Sequence, residues 1–453
     1  MNKYVVGLLA LFLTACGGGG STPEPVSVVT TQSTKPPTTP TPPAATTSTC
    51  TNPYKSDYPD VYKGPWPLPT PNTKFNTNIV RSISFKDYHV GNSAWLYKST
   101  CTSDEYTKLM YTLTLDKIKS LNADQIWIYN YGPWIDGTQT LWAMDKDKYQ
   151  IPESWMTYIV EEAKKRNIKV NLVWQFHNVD SKGKTMFNHG ETLSVSLMTT
   201  VLESHKQNMI ELSKYASSVG INALSVDWNA LSLGGTNTTH RELYVTKMVE
   251  TAQAMRQNFK GKLSFGQSLT PFYDERIFNS IDYIHVSLNP VLTPTEFVNF
   301  NVENVKAATL RHIEQRWREI DAPPNVKLPP VEFIISVQSR DKYFKEGWVE
   351  DGFCVTGKNT DGTENKCIQK TYVTDFSVQA VGIEGIFQAI KEQTRFTVYG
   401  VDLHTSFWLT DNVMPSPESW DDNMKMYNTD FPNLSQSIRN KPSENIVKYW
   451  FSR

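Results

Sequence analysis

Cysteine is scarce in this chain: five in 453 residues, with no Cys-x-x-Cys pair and no Cys/His cluster. The spacings that build a zinc site are therefore missing, and neither a metal nor a cofactor is expected. Net charge is nearly missing too, with 45 Lys and Arg against 46 Asp and Glu, a formal −1. That balance implies no basic footprint for nucleic acid and no surface that would repel polyanions. The N-terminal apolar run, Val5 to Leu13, is too short to span a bilayer. No glycine-rich phosphate loop follows the first strand-like segment, Val80 to Phe85, which argues against a nucleotide-binding doubly wound sheet.

The N-terminus does contain Lys3, the short apolar run, and Leu13-Thr14-Ala15-Cys16, a small-residue cleavage site ending in cysteine. This is the layout of a secretory signal over residues 1–16, and its last four residues resemble the bacterial lipobox. The resemblance implies cleavage before Cys16, acylation of its thiol and attachment to a lipid bilayer. Gly17, in place of Asp, implies the outer membrane, with the chain anchored on its periplasmic or surface face. An odd cysteine count in an exported chain requires one cysteine to have a separate fate. With Cys16 given to lipid, Cys354 and Cys367 flank the turn-rich stretch Thr356 to Lys366 and suit a local loop-closing disulfide. Cys50 and Cys101 are then left to pair.

Residues 17 to about 50 are Gly-rich, then Ser/Thr/Pro-rich, and bury too little apolar surface to fold. The linker is expected to run to residue 77, semi-extended by its prolines. From residue 78 to 453 the pattern alternates strand and helix. Candidate strands are Val80–Phe85, Gln125–Asn130, Lys169–Phe176, Ala223–Trp228, Lys262–Gly266, Tyr283–Leu288, Glu332–Val337 and Thr397–Leu403. Helical segments between them include Pro152 to Arg166, Leu202 to Ser218, Val305 to Ile320 and Ser377 to Glu392. Eight such units predict an α/β fold, a (β/α)8 TIM barrel, with a doubly wound open sheet as the alternative. A monomer is expected.

Side chains alternate along a strand, so each strand has an inward and an outward set. Strand four opposes Leu224, Val226 and Trp228 to Ser225, Asp227 and Asn229. Strand eight opposes Tyr399, Val401 and Leu403 to Gly400, Asp402 and His404. Strand three opposes Val170, Leu172, Trp174 and Phe176 to Asn171, Val173, Gln175 and His177. Strand six opposes Ile284, Val286 and Leu288 to His285, Ser287 and Asn289, and strand seven Ile335 and Val337 to Ser336 and Gln338. The apolar sets are expected against the helices, leaving polar groups on an axis that barrels ordinarily fill with branched apolar residues. A satisfied buried network is one account; a site at the C-terminal face is the account favoured here.

Among these axial residues the carboxylates are Asp227 and Asp402, and sugar hydrolysis commonly needs two. Asp227 is the expected acid/base. Asp402 and Asp341, the latter just after strand seven, are rival second carboxylates. Gln175, His177, Asn229, His285, Asn289, Gln338 and His404 are candidate substrate hydrogen-bonders. The chain carries 13 Trp and 21 Tyr, most of them core. Trp134, Trp228 and Trp408, at or just beyond strand ends, are candidate sugar platforms, and Asp87 a rim residue. Arg340 is placed to meet an anionic sugar, with an ion pair to Asp341 or a helix as the ordinary alternative.

Several phrases in order along the chain resemble the TIM-barrel glycoside hydrolases of clan A, especially family 113. They are Leu121-Asn122-Ala123-Asp124-Gln125-Ile126-Trp127, Ile281-Asp282-Tyr283-Ile284, Gln379-Ala380 and Lys441-Pro442-Ser443-Glu444 with Val447 and Trp450. The resemblance spans most of residues 78–453 and implies a barrel that cleaves glycosidic bonds. The catalytic Glu pair of that clan is not matched: Asn229 is followed by Ala230, and Ser336, Val337 and Gln338 stand where the second Glu is expected. The expected function is a divergent, lipid-anchored hydrolase of a poly- or oligosaccharide. The alternative is a non-catalytic glycan-binding lipoprotein on a retired barrel.

Overall fold

The computed structural model describes residues 67–86, 103–131, 151, 153–175, 194–226, 238–266, 273–346, 374–408, 436–439 and 441–453. Its strands are β1 (Val80–Lys86), β2 (Gln125–Tyr131), β3 (Lys169–Gln175), β4 (Ala223–Ser225), β5 (Lys262–Gly266), β6 (Tyr283–Leu288), β7 (Val331–Ile335) and β8 (Val398–Trp408). Each pairs in parallel with the next, and β8 pairs with β1, so the sheet closes. The chain is a (β/α)8 TIM barrel, and the open-sheet alternative falls.

Between the strands lie α1 (Ser103–Ser120), α2 (Glu153–Lys165), α3 (Val195–Val219), α4 (Thr238–Asn258), α5 (Glu275–Phe278), α6 (Pro294–Val298), α7 (Val302–Ile320), α8 (Tyr343–Glu346), α9 (Phe376–Glu392) and α10 (Ser443–Trp450). Local chemistry sets the boundaries. Ser194 accepts from Leu197 N at 3.2 Å and opens α3 a turn or two before Leu202, where sequence periodicity begins. Gly220 closes the same helix at φ 89°, the left-handed region. Asn301 caps α7 by accepting from Asn304 N at 2.9 Å, and Asp375 caps α9 by accepting from Ser377 N at 2.9 Å.

The outward sets pack as expected. Ile83, Leu172, Leu224, Ile284, Leu288, Ile335 and Val401 are fully buried in the core between sheet and helices. The inward sets form a second, separate cluster on the axis: Trp127, Tyr129, Val173, Ala223 and Tyr283, with Tyr399 against them. Tyr399 corrects the alternation expected for strand eight. The β7–β8 register slips by one, from Val331 opposite Val398 to Glu332 opposite Gly400. That slip turns the Tyr399 ring inward, where it stacks on Tyr283 at 4.2 Å. Lys262 lies 4.1 Å over the Tyr399 ring. These residues start β5, β6 and β8, so they plug the N-terminal end of the barrel.

The packed structure also begins earlier than residue 78. Phe75, placed by the sequence in the linker, is 2% exposed and packs on Phe387 of α9 and Trp450 of α10 at 5.0 and 4.8 Å. A large aromatic that meets a prepared pocket is drawn out of a polar linker by the area it buries.

Candidate active site

Among the described residues, the axis carries two buried carboxyls. Glu332, second residue of β7, accepts from Ser82 Oγ at 2.5 Å, Gln125 Nε2 at 3.1 Å and Trp127 Nε1 at 3.0 Å. Its other neighbour is His285, whose Nε2 lies 3.3 Å from Glu332 Oε2. Nearer the C-terminal ends of the strands, Asp402 of β8 is met by Ser84 Oγ at 2.7 and 2.6 Å on its two oxygens. Burial, and then the charge of Glu332, push the Asp402 carboxyl well above the ordinary carboxylate range. His404 stands two residues further along β8, its Nδ1 3.9 Å from Asp402 Oδ2. Tyr129 meets its ring edge-on at 4.3 Å. The His404 side chain is 19% exposed while Asp402 is sealed beneath it.

Main-chain positions at the strand ends are held from the surrounding helices. His205 of α3 bonds Val226 O at 3.0 Å, at the end of β4. Tyr343 of α8 donates to Ser336 O, and Gln379 of α9 donates to Val337 O at 2.8 Å, both just beyond β7. Burial pushes both His205 and His312 of α7 down to about 4, so both rings are neutral at ordinary pH.

The candidate residues separate by position. Asp402, His285 and His404 share the axis. Gln338 and Arg340 are fully buried beyond β7, with Arg340 Nε donating to Gln338 Oε1 at 2.9 Å and its Nη1 3.4 Å from Glu346. Arg340 thus makes an ion pair with α8, one of the two ordinary outcomes foreseen for it. Asp341, next in the chain, is partly exposed, and Asn289 is partly exposed beyond the end of β6. Gln175 and Trp408 end β3 and β8, with side chains outside the described set. Asp87, Trp134, His177, Asp227, Trp228 and Asn229 lie outside the described residues, as do Cys16, Cys50, Cys101, Cys354 and Cys367.

Glu332 is an axial carboxyl beyond the two expected from the strand alternation. It was legible: residue 332 has the same parity as Ser336 and Gln338, which were already assigned inward. Ser82, Ser84, Gln125 and Trp127 were missed for another reason, since short polar residues and a tryptophan in strands one and two carry no signal by type. Among the described residues, no group of three or more His, Cys, Asp or Glu side chains is placed to hold a metal ion.

No protein-family model matches this sequence, and no curated protein matches it. Solved structures do. A glycoside hydrolase family 113 β-1,4-mannanase superposes with TM-score 0.51 at 12% identity, covering 84% of this chain and 100% of that one. A complex structure of a family 113 β-1,4-mannanase gives 0.50 at 12% identity, covering 83% and 98%. The likeness shows the fold, the (β/α)8 barrel expected from the sequence.

Proposed function

We propose that this chain is an exported, lipid-anchored glycoside hydrolase acting on a poly- or oligosaccharide. The observation that carries the reading is the axis itself. Ser84, Tyr129, His285, Glu332, Asp402 and His404 occupy ground that plain barrels fill with branched apolar side chains. Burying a polar set of that size costs desolvation energy that an apolar axis would not, and a site gives that cost a use.

In this reading Asp227, following β4, is the acid/base. Of the two rival second carboxylates, Asp341 is the one that solvent reaches, whereas Asp402 is 1% exposed and backs His404 from below. Asp341 then serves as nucleophile or as base for water, and Asp402 acts by positioning. His404, within β8, and Asn289, just beyond β6, both partly exposed, supply hydrogen bonds to sugar hydroxyls. β-1,4-Mannan, the substrate named for the two structural neighbours, heads the panel of glycans to test.

The test is reducing-end release by the purified chain against Asp227→Asn and Asp341→Asn. Loss of roughly 10²–10⁴-fold in either variant, the usual contribution of a positioned acid or base, supports its role, and equal activity in Asp227→Asn overturns the assignment. One feature favours the second reading, a glycan-binding barrel without turnover. Ser336 to Gln338, just beyond β7, offer no carboxyl. Tight oligosaccharide binding with no product across the panel would select that reading.

A further inference from the structure

The chain leaves β6 at Leu288, and Asn289 follows, partly exposed just beyond the strand end. Its main chain is met from behind by α7. The Asn289 N–H lies 3.5 Å from Nε2 of His312, and Arg316 Nε reaches the same ring nitrogen at 3.4 Å. A backbone amide and a guanidinium only donate. Two donors aimed at one ring nitrogen require its lone pair, so the neutral His312 ring carries its proton on Nδ1. Both contacts are long, as when one lone pair serves two donors. Helical spacing assembles the group: 312, 316 and 319 fall on one face of α7, and Arg316 Nη1 donates to Glu319 Oε2 at 2.6 Å.

We propose that His312 is a positioning residue for the exit of β6: its bare Nε2 holds the Asn289 main chain, and a proton on that nitrogen releases it. Protonation would set one N–H against two others and a positive ring against the Arg316 guanidinium. Burial, and then that guanidinium, hold the ring at about 4, against the pull of the Ser287 carbonyl and Glu319. Charged groups on the neighbouring helices are engaged elsewhere. Glu296 of α6 pairs with Arg311 at 2.7 and 2.8 Å. In α9, Glu384 accepts from Trp450, Lys391 meets Thr73 and Glu392 meets Lys306. The ionisable side chains of β6, Tyr283 and His285, pack on Trp127 in the axis. The hold is therefore complete at neutral pH and is lost as pH falls through about 4. Its use rests on the glycosidase reading, in which Asn289 meets sugar hydroxyls. No substrate enters the test, so the hold stands or falls apart from that reading.

The test is NMR on the full chain labelled with 15N, reading the His312 ring nitrogens and the exchange protection of the Asn289 amide. At pH 7 the ring should show its proton on Nδ1 and a bare Nε2. Protection at Asn289 should fall about tenfold as pH drops through the ring's own titration, the scale of one net hydrogen bond. The Ile284 amide, bonded to Pro330 O at the other end of β6, keeps its protection and so separates this release from unfolding. In His312→Leu, which has no acceptor, Asn289 should be about tenfold less protected already at pH 7. In His312→Gln the side-chain carbonyl takes the place of Nε2 and binds no proton, so protection returns and no longer depends on pH. A proton on Nε2 at pH 7 overturns the proposal. So does an Asn289 amide that is equally protected in the wild type and in His312→Leu. Should His312→Leu fail to fold, the ring tautomer and the wild-type titration still decide.

Discussion

His205 illustrates how much one enclosed side chain does for a strand end. Its ring holds Val226 O, the main-chain position directly before Asp227, and burial sets its pKa at about 4. An unfolded histidine takes its proton near 6.5, so between these values the unfolded chain binds more protons than the folded one. Stability from this group is therefore fully present above pH 6.5 and is lost as pH falls through about 4. The loss is on the order of 3 kcal/mol for a group this enclosed, and His312 acts in the same window and direction. Urea unfolding at pH 7 and pH 4 should show His205→Gln losing about 3 kcal/mol less than the wild type over that interval. Equal losses would remove His205 from the account. None of this was readable beforehand. A histidine inside a helix looks the same whether it faces water or a carbonyl, and only the packing of α3 on β4 tells them apart.

The elements themselves were far more legible. Tyr283–Leu288 and Lys262–Gly266 form strands over the residues the alternation marks, because both are short runs closed on each side by turn residues. Helix starts were less readable where side-chain caps rather than periodicity set them, as at Ser194. Close approach between helices was not readable at all. In α9, a Cβ on Gly385 would lie 2.7 Å from Val305 Cβ and 2.9 Å from Val302 O on α7. Alanine is the better helix former by about 1 kcal/mol, yet here one helix or the other must move. Gly385→Ala is expected to destabilise by about 1–3 kcal/mol, read from the urea midpoint. Val305→Ala in the same chain removes the Cγ1 contact but leaves Val305 Cβ and Val302 O in place, so it should not restore stability. A stabilised Gly385→Ala would mean that propensity outweighs contact at this crossing.

At the scale of the whole molecule, the two ends of the described chain meet on α9. Trp450 is fully buried, donates from Nε1 to Glu384 Oε2 at 2.6 Å, and packs on Phe75 and Phe387. The first and last described segments thus share one aromatic cluster against α9. Phe75→Ala and Trp450→Ala should each cost about 3–5 kcal/mol. Because the rings touch, the double variant should lose less than the sum, and strict additivity would show that the two ends stabilise the barrel independently. The C-terminal face of the barrel is where legibility ran lowest. Alternation says which side of a strand a residue takes, but not its depth, and depth is what separates Asp402 from His404.

That meeting of the ends also has an orientation. Lys74 bonds the carbonyl of Arg453, Thr73 meets Lys391 at the end of α9, and Arg453 pairs with Asp124, just before β2. All of these contacts lie on the plugged side of the barrel, below Tyr283 and Tyr399. Residues 73–75 thus join the barrel at its base, on the side away from the open rim, so a substitution there acts on stability without touching the mouth.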